Sequence, residues 1–341
     1  MKAGHATPEG TARYASRHGH DTAFYRDAGG LQLSSLGLGS YLGPMDEATD
    51  AGYTAAAAEA LRTGINVLDT SLNYRHQRSE RALGAAIAQV AGEVARDEFV
   101  IATKAGYLVP NAQPDTLRHT DTVGGLHCLT PAFLADQCER SRQNLGVETI
   151  DIFYLHNPET QLDAIGATRF YERMAKAFEA LEGMVKDGRI AAYGTATWNG
   201  YREKKGGLNL TRLVDLARAA GGVGHHFRFI QLPFNLGMVE ALANRDEAGH
   251  NVLEYATEYG LTVMASASIL QAQLVRQMPP VVKSTFVGFD TNAQCAIQFT
   301  RSTPGITTAL VGMSKVDHVR ENLGVKRRPP APLEQYASLF S

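Results

Sequence analysis

Four ionisable residues stand at intervals that suit acid–base work on a carbonyl oxygen. Asp69 and Tyr74 share the run D-T-S-L-N-Y, Lys104 ends F-V-I-A-T-K, and His156 ends T-I-D-I-F-Y-L-H. Reducing a carbonyl needs a hydride donor and an acid for the oxygen. Tyrosine is a weak acid that ordinarily ionises near pH ~10. A nearby lysine ammonium stabilises the phenolate and is expected to lower that value. The lysine must then stay charged in a partly buried place, which a carboxylate such as Asp69 ensures. A histidine at the rim can donate to the substrate oxygen and orient it. This is general acid catalysis with a tuned donor, and the hydride chemistry belongs to a nicotinamide cofactor. Each residue also has a plain reading: a loop cap for Asp69, a rim side chain for Tyr74, a solvated strand end for Lys104, a structural histidine for His156. Their occurrence together, at successive strand ends, points to a site.

Eight short runs supply those strand ends: SSLGLG (34–39), INVLDT (65–70), FVIATK (99–104), TIDIFYLH (149–156), IAAYGTA (190–196), RFIQLPF (228–234), LTVMAS (261–266) and ITTALVG (306–312). Each is apolar and rich in branched residues, as a strand buried on both faces should be. Helix-type segments alternate with them at 53–63, 79–90, 131–145, 171–187, 209–220, 250–259, 291–301 and 315–323. Within 171–187, Met174, Phe178, Leu181 and Val185 recur at three- and four-residue steps, and Gly188 follows as a C-cap. The alternation predicts an α/β protein, a closed (β/α)8 TIM barrel. An open doubly wound sheet competes, but no G-x-G-x-x-G follows a strand. Active groups of barrels sit where strands end, so the four ionisable residues would face one opening. The long connections 107–130, 197–208 and 271–290 have lengths that usually carry function. Residues 326–332, KRRPPAP, read as an exposed strap.

A length of 341 residues suits one barrel, and 44% hydrophobic residues suffice for a large core. A net charge of −2 argues against a nucleic-acid partner, which usually leaves a basic excess. No stretch approaches the roughly 20 apolar residues of a membrane helix, and the polar N-terminus lacks the apolar run of a secretory signal. Cys128, Cys138 and Cys295 are odd in number and far apart, so they read as reduced thiols of a cytoplasmic protein. None has a metal-ligand spacing; His127 and Cys128 read as loop residues, and no metal is expected. Nothing in the sequence specifies an oligomeric state.

From about Tyr25 to Leu323 the chain resembles the aldo-keto reductase family. The resemblance rests on G-I-N-V-L-D-T-S-L-N-Y, S-E-R-A-L-G (79–84), I-A-T-K and I-D-I-F-Y-L-H, with S-R-Q-N-L-G (141–146), G-L-G-S-Y (37–41) and E-N-L (321–323) in support. It implies a barrel over 25–325 whose N-terminal hairpin, 25–36, closes the bottom. An extension, 1–24, precedes it and a tail, 326–341, follows. It also implies hydride transfer between NADPH, less often NADH, and aldehydes or ketones, with Asp69, Tyr74, Lys104 and His156 in the catalytic roles above. Gly39 and Ser40 fall near the nicotinamide ribose, with Asp69 close by. Gln231 and Asn157 fall by the carboxamide. Ser314 and Lys315 fall by the adenosine phosphate, and Glu321 and Asn322 by the adenine. Tyr41, Tyr107 and Trp198 would wall the substrate pocket, with Arg75 and His76 within reach. Such a partly aromatic wall suits carbonyl compounds broadly or a sugar ring.

Three departures bear on the cofactor. The family's G-V-S-N after strand five is G-T-A-T here (194–197), so only Thr197 can hydrogen-bond the carboxamide by its side chain. The tyrosine that stacks on the nicotinamide is Ser266; Trp198 or Phe234 are candidates to compensate. Gly312 and His318 stand where NADPH-specific members often have Lys and Arg, whose fork suits a phosphate. Lys315, Ser314 and Arg320 lie nearby, and NADP is favoured over NAD. The partner is then a small carbonyl or alcohol substrate. Two other readings stay open: an epimerase or isomerase that keeps its cofactor bound, and a non-catalytic NADP-binding regulatory subunit.

Overall fold

The computed structural model describes residues 1–19, 23–203 and 207–340. Eight parallel strands form the barrel: β1 (Leu36–Gly39), β2 (Val67–Asp69), β3 (Val100–Ala105), β4 (Ile150–His156), β5 (Ile190–Ala196), β6 (Phe227–Pro233), β7 (Thr262–Ser266) and β8 (Ile306–Gly312). They pair in chain order, and β8 returns to β1 with Gly312 opposite Gly39, which closes the sheet.

Side chains alternate faces along a strand. Val67, Val100, Ala102, Ile152, Ala196, Phe229, Met264 and Leu310 meet in one cluster inside the barrel. Two residues further along their strands stand Asp69, Lys104, Gln231, Ser266 and Gly312, and His156 follows Ile152 by four. The period of two thus sets this group on the topmost inward layer. Gly37 shows how tightly the interior closes: a Cβ there would meet Leu310 at 2.7 Å.

The helices among the described residues are α1 (Pro8–His18), α2 (Glu47–Thr63), α3 (Arg78–Gln89), α4 (Pro131–Leu145), α5 (Glu159–Ile165), α6 (Ala167–Lys186), α7 (Leu210–Gly221), α8 (Glu240–Ala243), α9 (Val252–Glu258), α10 (Gln273–Arg276), α11 (Pro280–Thr285), α12 (Asn292–Ser302), α13 (Val316–Leu323) and α14 (Leu333–Ala337), and the longer ones that follow the strands surround the barrel. In α6 the predicted stripe buries Met174, Phe178 and Leu181, and Gly188 adopts φ 73° just past the helix. Helix α2 begins six residues before the predicted start. Its first residues carry no apolar period, yet Asp46 caps it by accepting the Thr49 N–H at 2.8 Å. Among the described residues no helix is long and apolar enough to cross a membrane.

The bottom of the barrel is closed twice. The hairpin Tyr25–Ala28/Leu31–Ser34 lies across it, and α1 packs beside the hairpin and the turn Arg96–Glu98 that precedes β3. Tyr14 is fully buried and donates to the Leu61 carbonyl at 2.6 Å, while Arg13 and Arg17 both pair with Glu98. Asp151 ties the pieces together. It accepts from the Ala6 N–H at 2.6 Å, the Ile101 N–H at 2.8 Å and Arg96 at 2.6 Å. Arg96 and Asp151 are both buried, so removing one leaves an uncompensated charge. Asp151→Ala should lower the unfolding free energy by about 3–5 kcal/mol, read as a lower urea midpoint at unchanged slope. A loss under about 1 kcal/mol would refute the assignment.

The strap 326–332 is tied down along α12. Arg301 donates to the Arg328 carbonyl at 2.9 Å, Gln298 to the Pro329 carbonyl at 2.8 Å, and Ser302 accepts the Ala331 N–H at 2.8 Å. Beyond it Tyr336 buries its ring on Phe299, 5.2 Å between centroids.

Candidate active site

At the C-terminal ends of the strands opens a cavity of about 420 Å³. Gly39, Ser40, Tyr41, Asp69, Tyr74 and Tyr107 line it from β1 to β3, and His156, Asn157, Thr197, Trp198, Gln231 and Ser266 from β4 to β7. Lys104 is absent from the lining because it stands behind Tyr74, 1% exposed. Its ammonium donates to Asp69 Oδ1 at 2.6 Å and to the Thr70 carbonyl at 2.7 Å, and lies 4.9 Å from the Tyr74 ring centroid. The other Asp69 oxygen accepts from Gln231 Nε2 at 2.7 Å. One carboxylate thus bridges Lys104 and Gln231.

The electrostatics differ from the sequence expectation in one respect. Tyr74 is shifted up, well above its ordinary value, and not down. Burial is the main cause, and Asp69, Tyr41 and Tyr107 add to it. Burial together with the Asp69 charge holds the phenol protonated. Burial also pulls Lys104 down, against the pull of Asp69. His156 is pushed well below its usual range by burial and by the Lys104 charge, which leaves it neutral. Its Nδ1 lies 3.2 Å from Ser71 Oγ, so the ring is fixed and Nε2 remains for a ligand.

Aromatic contacts pack these groups. The Tyr41 and Tyr74 rings meet edge to face at 4.9 Å, and Tyr107 lies perpendicular to His156 at 5.2 Å. Asn157 donates to the Tyr107 hydroxyl at 3.0 Å. His127, which reads from sequence as a loop residue, is fully buried in a short two-stranded ribbon, Thr122–Val123/His127–Cys128. It donates through Nε2 to the His156 carbonyl at 2.7 Å, and burial lowers it to about 4. The backbone passes so close here that a Cβ on Gly106 would meet His127 Nε2 at 2.7 Å.

Other residues fall elsewhere. Arg75 turns away from the cavity to the Pro44 carbonyl at 2.8 Å and Asp50 at 2.6 Å, and His76 is exposed. Phe234 stacks on Phe299 in the core, 5.8 Å between centroids, which leaves Trp198 as the aromatic candidate beside Ser266. Ser314, Lys315, His318, Glu321 and Asn322 lie outside the cavity, in the loop beyond β8 and in α13, joined to it through Gly312. Arg320 pairs with Glu59 at 2.8 Å. Sequence reasoning missed Asn73, Gln271 and Ala272 in the wall, Ser71 behind His156, and Glu159 beneath the β5 loop. Ser71 stands inside the D-T-S-L-N-Y motif and Glu159 three residues past His156; their contacts span 85 and about 40 residues, beyond any local pattern.

The aldo/keto reductase family model matches residues 35–278. The chain belongs to the aldo/keto reductase family. Among its relatives in that family is a D-threo-aldose 1-dehydrogenase of Pseudomonas sp, 32% identical over 182 residues, or 49% of this chain and 51% of that protein. The chain thus spans about half the length of that relative. L-Galactose dehydrogenase of Arabidopsis thaliana is 24% identical over 86% of this chain and 84% of its own. An aldo/keto reductase of Klebsiella pneumoniae, solved in complex with NADP and acetate, superposes with a TM-score of 0.65 at 20% identity, covering 94% of this chain and 95% of that one. This aldo/keto reductase therefore shares the barrel of the solved members.

Proposed function

We propose that the protein moves hydride between a nicotinamide cofactor and a small carbonyl compound, reducing aldehydes or ketones and oxidising the matching alcohols. The observation that carries this reading is the buried Lys104–Asp69 pair behind the Tyr74 ring, in a cavity shared with His156 and Gln231. The cavity fits a nicotinamide. The Thr197 hydroxyl is buried with no hydrogen-bond partner among the described residues. With Gln231 and Asn157 it would hold the carboxamide. Gly39 and Ser40 would lie by the ribose. Ser314, Lys315, His318, Glu321 and Asn322 would take the adenosine end. NADP is favoured over NAD: no side chain caps the N-terminus of α13, where Ser314 and Lys315 stand, and such a terminus attracts phosphate.

The bound nicotinamide supplies the hydride. Tyr74 gives its proton to the carbonyl oxygen as that oxygen gains negative charge. Lys104 stabilises the phenolate left behind, and Asp69 keeps Lys104 charged. Neutral His156 meets the same oxygen through Nε2 and orients it. In the oxidative direction Tyr74 takes the proton back. The substrate reading is an aldose or a similar short polyhydroxylated carbonyl. Tyr41 and Trp198 offer faces for a ring, and Asn73 offers a partner for a hydroxyl. Two relatives are named for aldose and galactose oxidation.

Titration with NADPH and NADH, followed by protein fluorescence, tests the reading. NADPH should bind about tenfold more tightly, roughly one charge-assisted hydrogen bond. Equal affinities would remove the NADP preference. Failure to bind either, or no cofactor-dependent turnover of D-galactose, D-arabinose or 4-nitrobenzaldehyde, would overturn the proposal.

A further inference from the structure

The loop after β5 carries Trp198, and a neighbouring element grips its backbone. Glu159 Oε1 accepts the N–H groups of Trp198 at 2.9 Å, Asn199 at 3.0 Å and Gly200 at 3.3 Å. Three successive N–H groups aimed at one oxygen form a nest, the backbone arrangement that takes an anion. Glu159 opens α5, three residues after His156, and is 8% exposed. Burial pushes its carboxyl up, and the backbone N–H groups pull it back down. It does not line the cavity, and the hydrogen bonds of its side chain go to the 198–200 backbone.

The span it holds is short and pinned at both ends. On one side the Thr197 N–H donates to the Gln231 carbonyl at 2.9 Å. On the other, Gly200 accepts the Leu208 N–H at 2.7 Å, and Asn244 donates to the Arg202 carbonyl at 2.7 Å. Between these anchors the indole of Trp198 reaches the cavity while staying 42% exposed. The Trp198 N–H itself is fixed by its bond to Glu159.

We propose that Glu159 is a positioning residue for substrate selection: by holding the 198–200 backbone it sets Trp198 as one wall of the cavity. The inference rests on the function proposed above, in which substrate lies against Trp198. It assigns to Glu159 no part in proton transfer. Its loss should therefore weaken substrate binding and leave the chemical step alone.

Trp198 is the protein's only tryptophan, so its fluorescence reports this loop without any need for turnover. In Glu159→Ala the emission should move to longer wavelength and acrylamide quenching should rise. KM for 4-nitrobenzaldehyde should increase about tenfold while kcat stays within about twofold. Glu159→Gln keeps a carbonyl oxygen for the three N–H groups and should restore most of both signals. Glu159→Asp keeps the charge but withdraws the oxygen by one methylene; it should shift both in the same direction by less. It also serves if the alanine variant does not fold. Unchanged emission and quenching in the alanine and aspartate variants would overturn the proposal, as would a fall in kcat at constant KM. If no carbonyl is turned over, the fluorescence result still decides the clasp, separately from the reaction.

Discussion

Tyr74→Phe is expected to lower kcat for carbonyl reduction at least about 10²-fold, about 2.7 kcal/mol of transition-state stabilisation, and to leave cofactor binding unchanged. Only the hydroxyl is removed. The ring keeps its edge contact with Tyr41 at 4.9 Å and its place over Lys104, so the fold has no reason to change. The same geometry fixes the sign of the pH dependence. Burial raises the Tyr74 pKa, so the acid stays protonated across neutral pH. Reduction should be flat there and fall only above about 10, the ordinary tyrosine value. Oxidation needs the phenolate as base and should rise with pH throughout. Single-turnover kinetics in both directions measure this. Full turnover in the phenylalanine variant would remove Tyr74 from the mechanism.

Lys104→Met should cost both activity and stability, and a double variant separates the two. Lys104 and Asp69 are buried together at 2.6 Å. Taking away the ammonium leaves Asp69 with Gln231 as its side-chain partner. Breaking a buried pair on one side costs about 3–5 kcal/mol. Turnover should fall at least about tenfold, the equivalent of one pKa unit on the donor. Replacing both members is often nearly neutral for stability. Lys104→Met with Asp69→Asn should therefore recover most of the urea midpoint but none of the turnover. A double variant as unstable as the single one would show that the two residues do not act as a pair.

The catalytic group is legible because two periodicities agree. Apolar runs of strand length mark where each strand ends, and alternation fixes which face each residue takes. Asp69, Lys104 and His156 fall at or next to strand ends, and that is where they are found. The helices behind the strands are legible for the same reason, from stripes such as Met174, Phe178 and Leu181. Helix α1 is not, since P-E-G-T-A-R-Y-A-S-R-H has no apolar stripe beyond Tyr14 and a few small residues. It is stabilised by partners far along the chain, Leu61 and Glu98, and just before it by Asp151, which holds Ala6. The strap reads as exposed and largely is, whereas the burial of Tyr336 in the tail depends on Phe299 and Thr303, more than 30 residues away.

By itself the sequence determined the barrel, the end of it that carries the cavity and the residues to which the acid–base roles are proposed. Those follow from local period and residue type, which act over a few positions. Tertiary structure alone decided the state of those residues and what supports them. It turned the expected fall in the Tyr74 pKa into a rise, turned Arg75 away from the cavity, made His127 a prop for His156 and bound Glu159 to the Trp198 loop. Each of these depends on burial or on a partner many residues away. Desolvation and long-range hydrogen bonds arise only when the chain has closed around the site, so no local pattern encodes them.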